Sequence, residues 1–126
     1  MSLRSPIKRV KGLGSAKSGV HHWWMQRLTA VAMVPLVLWF SFSVASLAGA
    51  DYASVHAWVS QPLTAGLLVL LLGALFFHGQ LGLQVVIEDY VHARSVQLAA
   101  VVAVKLLAIL LAVVGILAVL RVALGG

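Results

Sequence analysis

The chain has 126 residues, of which 62% are hydrophobic and 10% are charged, and nine Lys and Arg against three Asp and Glu give a formal net charge of +6. Soluble domains average about 45–50% apolar and about 25% charged residues, so this composition predicts an integral membrane protein without a soluble domain. The chain contains no cysteine, which excludes disulfides, thiolate metal sites and iron–sulfur ligation by this polypeptide.

Residues 1–20 are predicted to form a basic arm, with five Lys and Arg and no acidic residue. The arm has no apolar h-region, which argues against a cleaved secretory signal peptide. Its charge precedes the first apolar segment and is not interleaved with aromatics, so it indicates membrane topology instead of nucleic-acid binding. We therefore expect the arm on the cytoplasmic or matrix side. A bacterial inner membrane is favoured and a mitochondrial inner membrane is the alternative.

The first predicted span covers about residues 23–47 and opens with two tryptophans typical of a membrane interface. His21 and Arg27 lie at its cytoplasmic end. Position alone favours an Arg27 side chain that snorkels towards lipid phosphates. The alternative is that His21 and Arg27 face inward and bind an anionic group, because the forked donors of arginine suit carboxylates.

The next segment, residues 49–61, contains no Lys or Arg and is predicted to be a loop on the opposite, periplasmic side. Pro62 suits the first turn of a second span, predicted at about residues 63–87. This span is rich in glycine, which predicts that it packs closely against other helices. The glycines concerned are Gly66, Gly73, Gly79 and Gly82.

A third span is predicted at about residues 98–120, with Lys105 expected to snorkel outward. The pattern as a whole predicts an all-α integral membrane protein with three transmembrane helices, N-in and C-out. Its organisation would be an arm at 1–20 followed by a three-helix anchor domain at 21–126.

His78 lies within the second span, where ionisable residues are rare and usually face a partner or a pathway. Three roles remain open for it: a hydrogen bond to another helix, a proton relay, or axial ligation of haem iron through neutral imidazole. Ala74 and Gly82, one turn to either side, leave room for a flat group and favour the third role. No other histidine of the chain lies at the same predicted depth, so a second axial ligand would come from another polypeptide.

Asp89 and Tyr90 follow His78 at the predicted water edge. Eleven helical residues bring Asp89 back onto the face of His78, about 16 Å along the axis. Both residues could simply be interfacial anchors. The alternative is a quinone site, in which a tyrosine hydroxyl donates to a ring carbonyl and a carboxylate, with His92 or Arg94, delivers protons.

Two motifs resemble a known family, the small cytochrome b membrane anchors of succinate:quinone oxidoreductase, respiratory complex II. One is SGVHHWWMQRLTA at residues 18–30, which is similar to the family's entry to its first span. The other is His78 followed, after ten intervening residues, by Asp89 and Tyr90. With the three-span layout, the resemblance covers nearly the whole chain from Ser18 onward.

The resemblance implies a role for each candidate residue. His78 corresponds to the axial ligand of haem b iron, and His21 and Arg27 to positions near the haem propionates. Tyr90 corresponds to the tyrosine that hydrogen-bonds a ubiquinone carbonyl. Asp89 corresponds to the acid that shapes or protonates the same site.

The resemblance also implies partners: a flavoprotein with FAD, an iron–sulfur protein, and a second cytochrome b anchor protein that supplies the other haem histidine. This chain would then be an electron-transfer and membrane-anchor subunit of succinate dehydrogenase that links the tricarboxylic acid cycle to the respiratory chain. It would bind no succinate and hold no complete active site alone. The alternative is a haem-free quinone-site anchor of a fumarate reductase type complex.

Overall fold

A computed structural model describes residues 4–125 of the chain, with side chains from residue 19 onward. Most of the side chains of the predicted basic arm therefore lie outside the described residues. Four helices follow one another along the described range: α1 (Arg4–Ser46), α2 (Tyr52–Ser60), α3 (Pro62–Tyr90) and α4 (Arg94–Gly125).

Three stretches of helix are long and apolar enough to cross a membrane. They are Gly19–Ser46, Pro62–Tyr90 and Arg94–Gly125. This confirms the prediction of an all-α chain with three spans. Each helix is longer than the predicted span, because hydropathy detects the apolar core of a helix and misses the polar turns that continue it.

The prediction of a loop at residues 49–61 was wrong in one respect, because α2 forms within it. Gly49 turns the chain with a φ of +80°, a conformation that glycine adopts without a Cβ penalty. Asp51 then caps α2, since its carboxylate accepts a hydrogen bond from the backbone N–H of Ser54 at 2.9 Å. The hydrogen bonds from Ser54 also lower the pKa of the exposed Asp51 carboxyl below its usual value.

The long helix α3 begins at Pro62, in the first turn as predicted. It continues through Tyr90, where the backbone N–H of Val91 donates to the carbonyl of Ile87 at 2.9 Å. Glu88, Asp89 and Tyr90 therefore lie in the last helical turn, just beyond the apolar span that the sequence predicts to end at about residue 87. Only residues 91–93 separate α3 from α4.

α3 lies in the middle of the described chain. It contacts α1 on one side and α4 on the other, while α1 and α4 make no contact with each other over the described residues. α2 packs against α3 and α4. Between residues 19 and 125, the buried apolar side chains all belong to α3, namely Ala65, Leu68, Leu71 and Leu81. Helix α4 contains no buried residue, so much of its apolar surface is left for lipid or another chain.

α3 packs against other helices as the sequence predicts, but its glycines are not the points of closest approach within the described residues. A Cβ added to Gly66, Gly73 or Gly79 would have no neighbour within 4 Å. A Cβ on Gly82 would reach only Gln26 Nε2, at 4.0 Å. Among the glycines from residue 19 to residue 125, the tightest approach involves Gly115 of α4, where an added Cβ would lie 3.2 Å from Leu72 Cδ1.

Candidate functional site

The side chain of His78 lies at the interface between α1 and α3. Its Nδ1 is 3.1 Å from the hydroxyl oxygen of Thr29, a residue of α1 that is only 8% exposed. The His78 ring is itself half-buried. This is the hydrogen bond to another helix that the sequence left open, and it does not exclude a second role for the other ring nitrogen.

The other nitrogen, Nε2, remains available. Within residues 19–125 it makes no hydrogen bond, and it is not among the enclosed side-chain atoms that lack a partner. The chain thus holds the Nδ1 edge of the imidazole, while Nε2 stays accessible. Among the described residues, no group of three His, Cys, Asp or Glu could hold a metal ion, so any metal at His78 needs further ligands from elsewhere.

The residues facing α3 from α1 recur at helical spacing. His22, Gln26 and Thr29 follow each other at i, i+4 and i+7, which places them on one stripe of α1. The opposing stripe of α3 has the same spacing and consists of His78, Gly82 and Val85. The two stripes run antiparallel, because Thr29 pairs with His78 whereas Gln26 lies near Gly82.

A cavity of about 440 Å³ opens between these stripes, next to His78 towards the Tyr90 end of α3. Its lining consists of Gly19, His22, Trp23, Gln26, Gly82 and Val85. Two atoms, His22 Nε2 and Gln26 Oε1, are buried without a hydrogen-bond partner among the residues described. A buried polar atom without a partner costs free energy, so this wall is suited to a polar group from outside the chain.

His21 and Arg27, the predicted anion ligands, are both exposed and are not brought together. Six residues of helix place them about 120° apart around α1. The Arg27 guanidinium carbon lies 5.1 Å from the ring centroid of Trp23, a cation–π geometry that holds the side chain along the helix surface. The stripe of α1 that faces α3 lies beside these two residues, and their role as anion ligands stays a prediction. The spacing of His22, Gln26 and Thr29 was the signal that could have identified this stripe.

Asp89 and Tyr90 end α3 at its exposed tip, where Tyr90 is 77% exposed. Neither side chain makes a hydrogen bond to any residue between 19 and 125. Asp89 returns to within about 20° of the His78 face, whereas Tyr90 lies about 120° from it. The carbonyl end of a helix disfavours negative charge, so a carboxylate here is not explained by helix stability.

A second polar stripe runs along α3 on a different face. The amide of Gln80 donates to Gln84 at 3.1 Å, and the amide of Gln84 donates to Glu88 at 3.2 Å. Gln97 of α4 closes the end of α3 by donating to the carbonyls of Glu88 and Val91. Lys105 is exposed and lines the α3–α4 groove with Gln80. Sequence reasoning missed this stripe, although its i, i+4, i+8 spacing is visible in the sequence.

The opposite end of the structure holds α2. His56 Nδ1 is 3.4 Å from the hydroxyl of Ser60, and Trp58 stacks on Trp39 of α1 with ring centroids 5.8 Å apart. Aromatic side chains are typical of a membrane interface, so these contacts fit an interfacial anchoring role for His56 and Trp58. His56 is therefore remote from His78 and serves as a comparison for it.

Comparison with known proteins links the chain to one family. A family model described as the succinate dehydrogenase/fumarate reductase transmembrane subunit matches residues 1–117. The chain is 36% identical over 116 residues to the succinate dehydrogenase hydrophobic membrane anchor subunit of Rickettsia bellii, covering 92% of this chain and 93% of that protein. It is 29% identical over 96 residues to the succinate dehydrogenase membrane anchor subunit of Reclinomonas americana, covering 74% and 80% of the two chains.

Proposed function

The chain belongs to the family of succinate dehydrogenase and fumarate reductase transmembrane subunits, and from that premise we propose that this membrane anchor subunit ligates a haem b through His78 and completes a ubiquinone-reduction site with Tyr90 and Asp89. In this role it carries electrons between succinate oxidation and the respiratory chain. The observation that carries the proposal is the His78 imidazole, held at Nδ1 by Thr29 and open at Nε2.

The residues present fit a haem. Axial ligation of iron needs an imidazole with one nitrogen free, and Nε2 of His78 makes no hydrogen bond to any residue between 19 and 125. Gly82, one turn away on the same stripe, carries no Cβ and leaves a depressed surface beside the ring. The half-buried position of His78 limits access of water to the ligand. A bound haem would supply one-electron redox chemistry, while this chain supplies ligation and orientation.

Another polypeptide must complete the haem site. His22, the other histidine at the α1–α3 interface, lies two turns along α1 from the Thr29 contact, and His56 lies at the far end of α3 in contact with Ser60. We therefore assign the other axial ligand to a second cytochrome b anchor protein of the complex. The FAD and the iron–sulfur clusters belong to a flavoprotein and an iron–sulfur partner, in agreement with the absence of cysteine from this sequence.

The quinone part of the proposal rests on Tyr90 and Asp89. Reduction of ubiquinone to ubiquinol adds electrons and protons in equal number, so the site needs both an orienting donor and a route from water. The exposed Tyr90 hydroxyl can donate to a ring carbonyl, and Asp89 at the same helix end can pass a proton from bulk water. Neither group is engaged elsewhere between residues 19 and 125.

The propionate role of His21 and Arg27 receives less support from the geometry. Because they lie about 120° apart around α1, a single carboxylate could not contact both, so each would have to meet a different propionate. We keep them as candidate anion contacts supplied from α1, alongside the unpartnered His22 and Gln26 atoms of the cavity wall.

Membrane placement follows from the spans. The three long apolar helices and the Rickettsia relatives support a multi-pass bacterial membrane protein. We propose that it lies in the inner membrane with the basic N-terminal arm and the Tyr90 end of α3 on the cytoplasmic side, since basic segments remain inside. Protons for the quinone would then come from the cytoplasm.

The test is a dithionite-reduced minus air-oxidised optical spectrum of the complex purified through this chain. We expect a b-type α-band in the wild type and its loss or shift in His78→Ala. His56→Ala is the matched control and should keep the band, because His56 lies at the other end of the spans.

Absence of any haem band from the wild-type complex would contradict the proposal. The haem-free quinone anchor of a fumarate reductase type complex would then be the better assignment. An unchanged band in His78→Ala would show that the haem is held by other chains alone.

A further inference from the structure

We infer that Thr29 is a positioning residue for His78: its hydroxyl fixes the imidazole as the tautomer with the proton on Nδ1, so that the Nε2 lone pair is presented to a metal. This inference rests on the proposed haem ligation, and it concerns a residue of α1 to which no role has been assigned above beyond the contact itself.

The Thr29 hydroxyl lies against the backbone of α1. Its oxygen lies 2.8 Å from the carbonyl oxygen of Met25 and 3.1 Å from that of Gln26. A threonine in a helix commonly donates to the carbonyl three or four residues earlier, and this bond selects its side-chain rotamer. The oxygen that faces His78 is therefore held by the backbone of α1.

The hydrogen bond between Thr29 and His78 has a preferred direction. A hydroxyl has a single proton to donate, and a carbonyl oxygen can only accept. If the Thr29 proton pointed to His78, the hydroxyl and the Met25 carbonyl would face each other at 2.8 Å with lone pairs only. The favourable arrangement has Thr29 donating to Met25 and accepting from His78 Nδ1–H at 3.1 Å.

The direction of this hydrogen bond determines which nitrogen of the His78 imidazole carries the proton. With its proton on Nδ1, a neutral imidazole carries its lone pair on Nε2, the nitrogen that is open in this structure. Thr29 is only 8% exposed, so water does not compete for the bond. A hydrogen bond from the second nitrogen of a ligating histidine also fixes ring orientation and raises ligand basicity.

The experiment compares Thr29→Val, Thr29→Ala and Thr29→Ser in the purified complex. Valine replaces the hydroxyl with a methyl group of similar size, whereas serine keeps the hydroxyl. The readouts are haem content per complex, the haem midpoint potential and the low-spin electron paramagnetic resonance signal. Thr64→Val is the matched control, because Thr64 is equally buried (5% exposed) but bonds to Gln61 at the far end of α3.

We expect Thr29→Val and Thr29→Ala to bind haem about 10- to 100-fold more weakly, the usual effect of losing such a supporting hydrogen bond. Their midpoint potential should rise, because a less basic imidazole stabilises oxidised iron less well. Thr29→Ser should restore the wild-type potential and resonance signal, and Thr64→Val should change neither.

Several results would overturn the inference. Wild-type haem content, potential and resonance in Thr29→Val would show that the hydroxyl is not needed. Equal shifts in Thr29→Ser and Thr29→Val would show that side-chain volume matters instead. Failure of both Thr29→Val and Thr29→Ala to assemble would assign Thr29 to helix association. In each case a haem band that still depends on His78 leaves the proposed function intact, whereas a wild-type complex without haem removes the proposed function itself.

Discussion

Gly115 on α4 lies directly against Leu72 on α3, so closely that a Cβ on Gly115 would be 3.2 Å from Leu72 Cδ1. This is tighter than ordinary van der Waals contact, and it occurs at the interface that joins the two helices. A single small residue thus sets how closely α4 approaches the central helix.

We predict that Gly115→Val destabilises the assembled protein by about 1–3 kcal/mol, the usual cost of overpacking. The measurement is the apparent melting temperature of the complex in detergent. Gly79→Val is the control, because a Cβ on Gly79 meets nothing within 4 Å among the described residues. Equal damage from the two substitutions would show that the Leu72 contact is not what limits the approach of α4.

A second prediction concerns the cap of α2. The Asp51 carboxylate accepts the Ser54 N–H, and its pKa is lowered by the hydrogen bonds from Ser54. Because the folded-state pKa is below the unfolded one, the cap contributes stability above the unfolded value of about 3.9 and loses it as the pH falls through the lower folded value.

Hydrogen exchange of the α2 amides measures this effect. At neutral pH, Asp51→Ala should exchange faster than wild type, whereas Asp51→Asn should stay protected because an amide oxygen can also cap. Acidification should speed up exchange of the α2 amides in wild type but not in Asp51→Asn, after correction for the intrinsic exchange rates at each pH. Similar protection in Asp51→Ala at neutral pH would mean that other contacts, such as the Trp58 stack on Trp39, hold α2 without the cap.

The sequence predicted the three spans because about 20 apolar residues are needed to cross a bilayer and few other folds tolerate them. It missed α2, since a helix of nine residues beside a membrane carries no such signal. It did not locate the closest contact between helices, which lies at Gly115 and not at the glycines of α3, because composition does not reveal which face of α3 meets α4.

At the α1–α3 site, the sequence could single out His78 but not the residues that surround it. The depth of His78 in an apolar helix was readable from the sequence, whereas its partner Thr29 required the rotation of α1 relative to α3. His21 and Arg27 were chosen by charge and motif, and neither property reports which helix face is inward. Their role, the haem and the quinone site stay predictions.

A third prediction tests the space beside His78. Gly82→Ala adds a Cβ at 4.0 Å from Gln26 Nε2, an ordinary contact, so the α1–α3 interface should tolerate it. Gly82→Leu should keep the complex assembled, because the adjoining cavity of about 440 Å³ can hold the side chain. It should nevertheless weaken haem binding by about 1–3 kcal/mol, because the leucine would occupy space beside His78 that a bound haem would need.

Haem content per assembled complex is the measurement, with Gly66→Leu as the control near the opposite end of α3. Full haem content in Gly82→Leu would show that a flat group does not approach α3 on this side. Loss of assembly in Gly82→Ala would contradict the contact distance at Gln26.

The last prediction separates the quinone role from the haem role. Tyr90→Phe removes a hydroxyl that would donate to a quinone carbonyl, at a cost of about 1–3 kcal/mol for the unsatisfied group. This corresponds to a loss of roughly 5- to 150-fold in kcat/KM for ubiquinone. Tyr52→Phe is the matched control, because Tyr52 is similarly exposed (80%) but lies on α2 at the other end of the spans.

Asp89→Asn should lower kcat with little change in KM, since it removes a proton carrier while keeping the shape of the side chain. Both variants should retain the reduced haem spectrum, because Tyr90 and Asp89 lie about 16–18 Å along α3 from His78. Steady-state succinate:ubiquinone turnover and the optical spectrum of the same preparations provide the two readouts. Loss of the haem band with normal quinone turnover in Tyr90→Phe would contradict the assignment, because it would place Tyr90 in support of the haem instead of against the quinone.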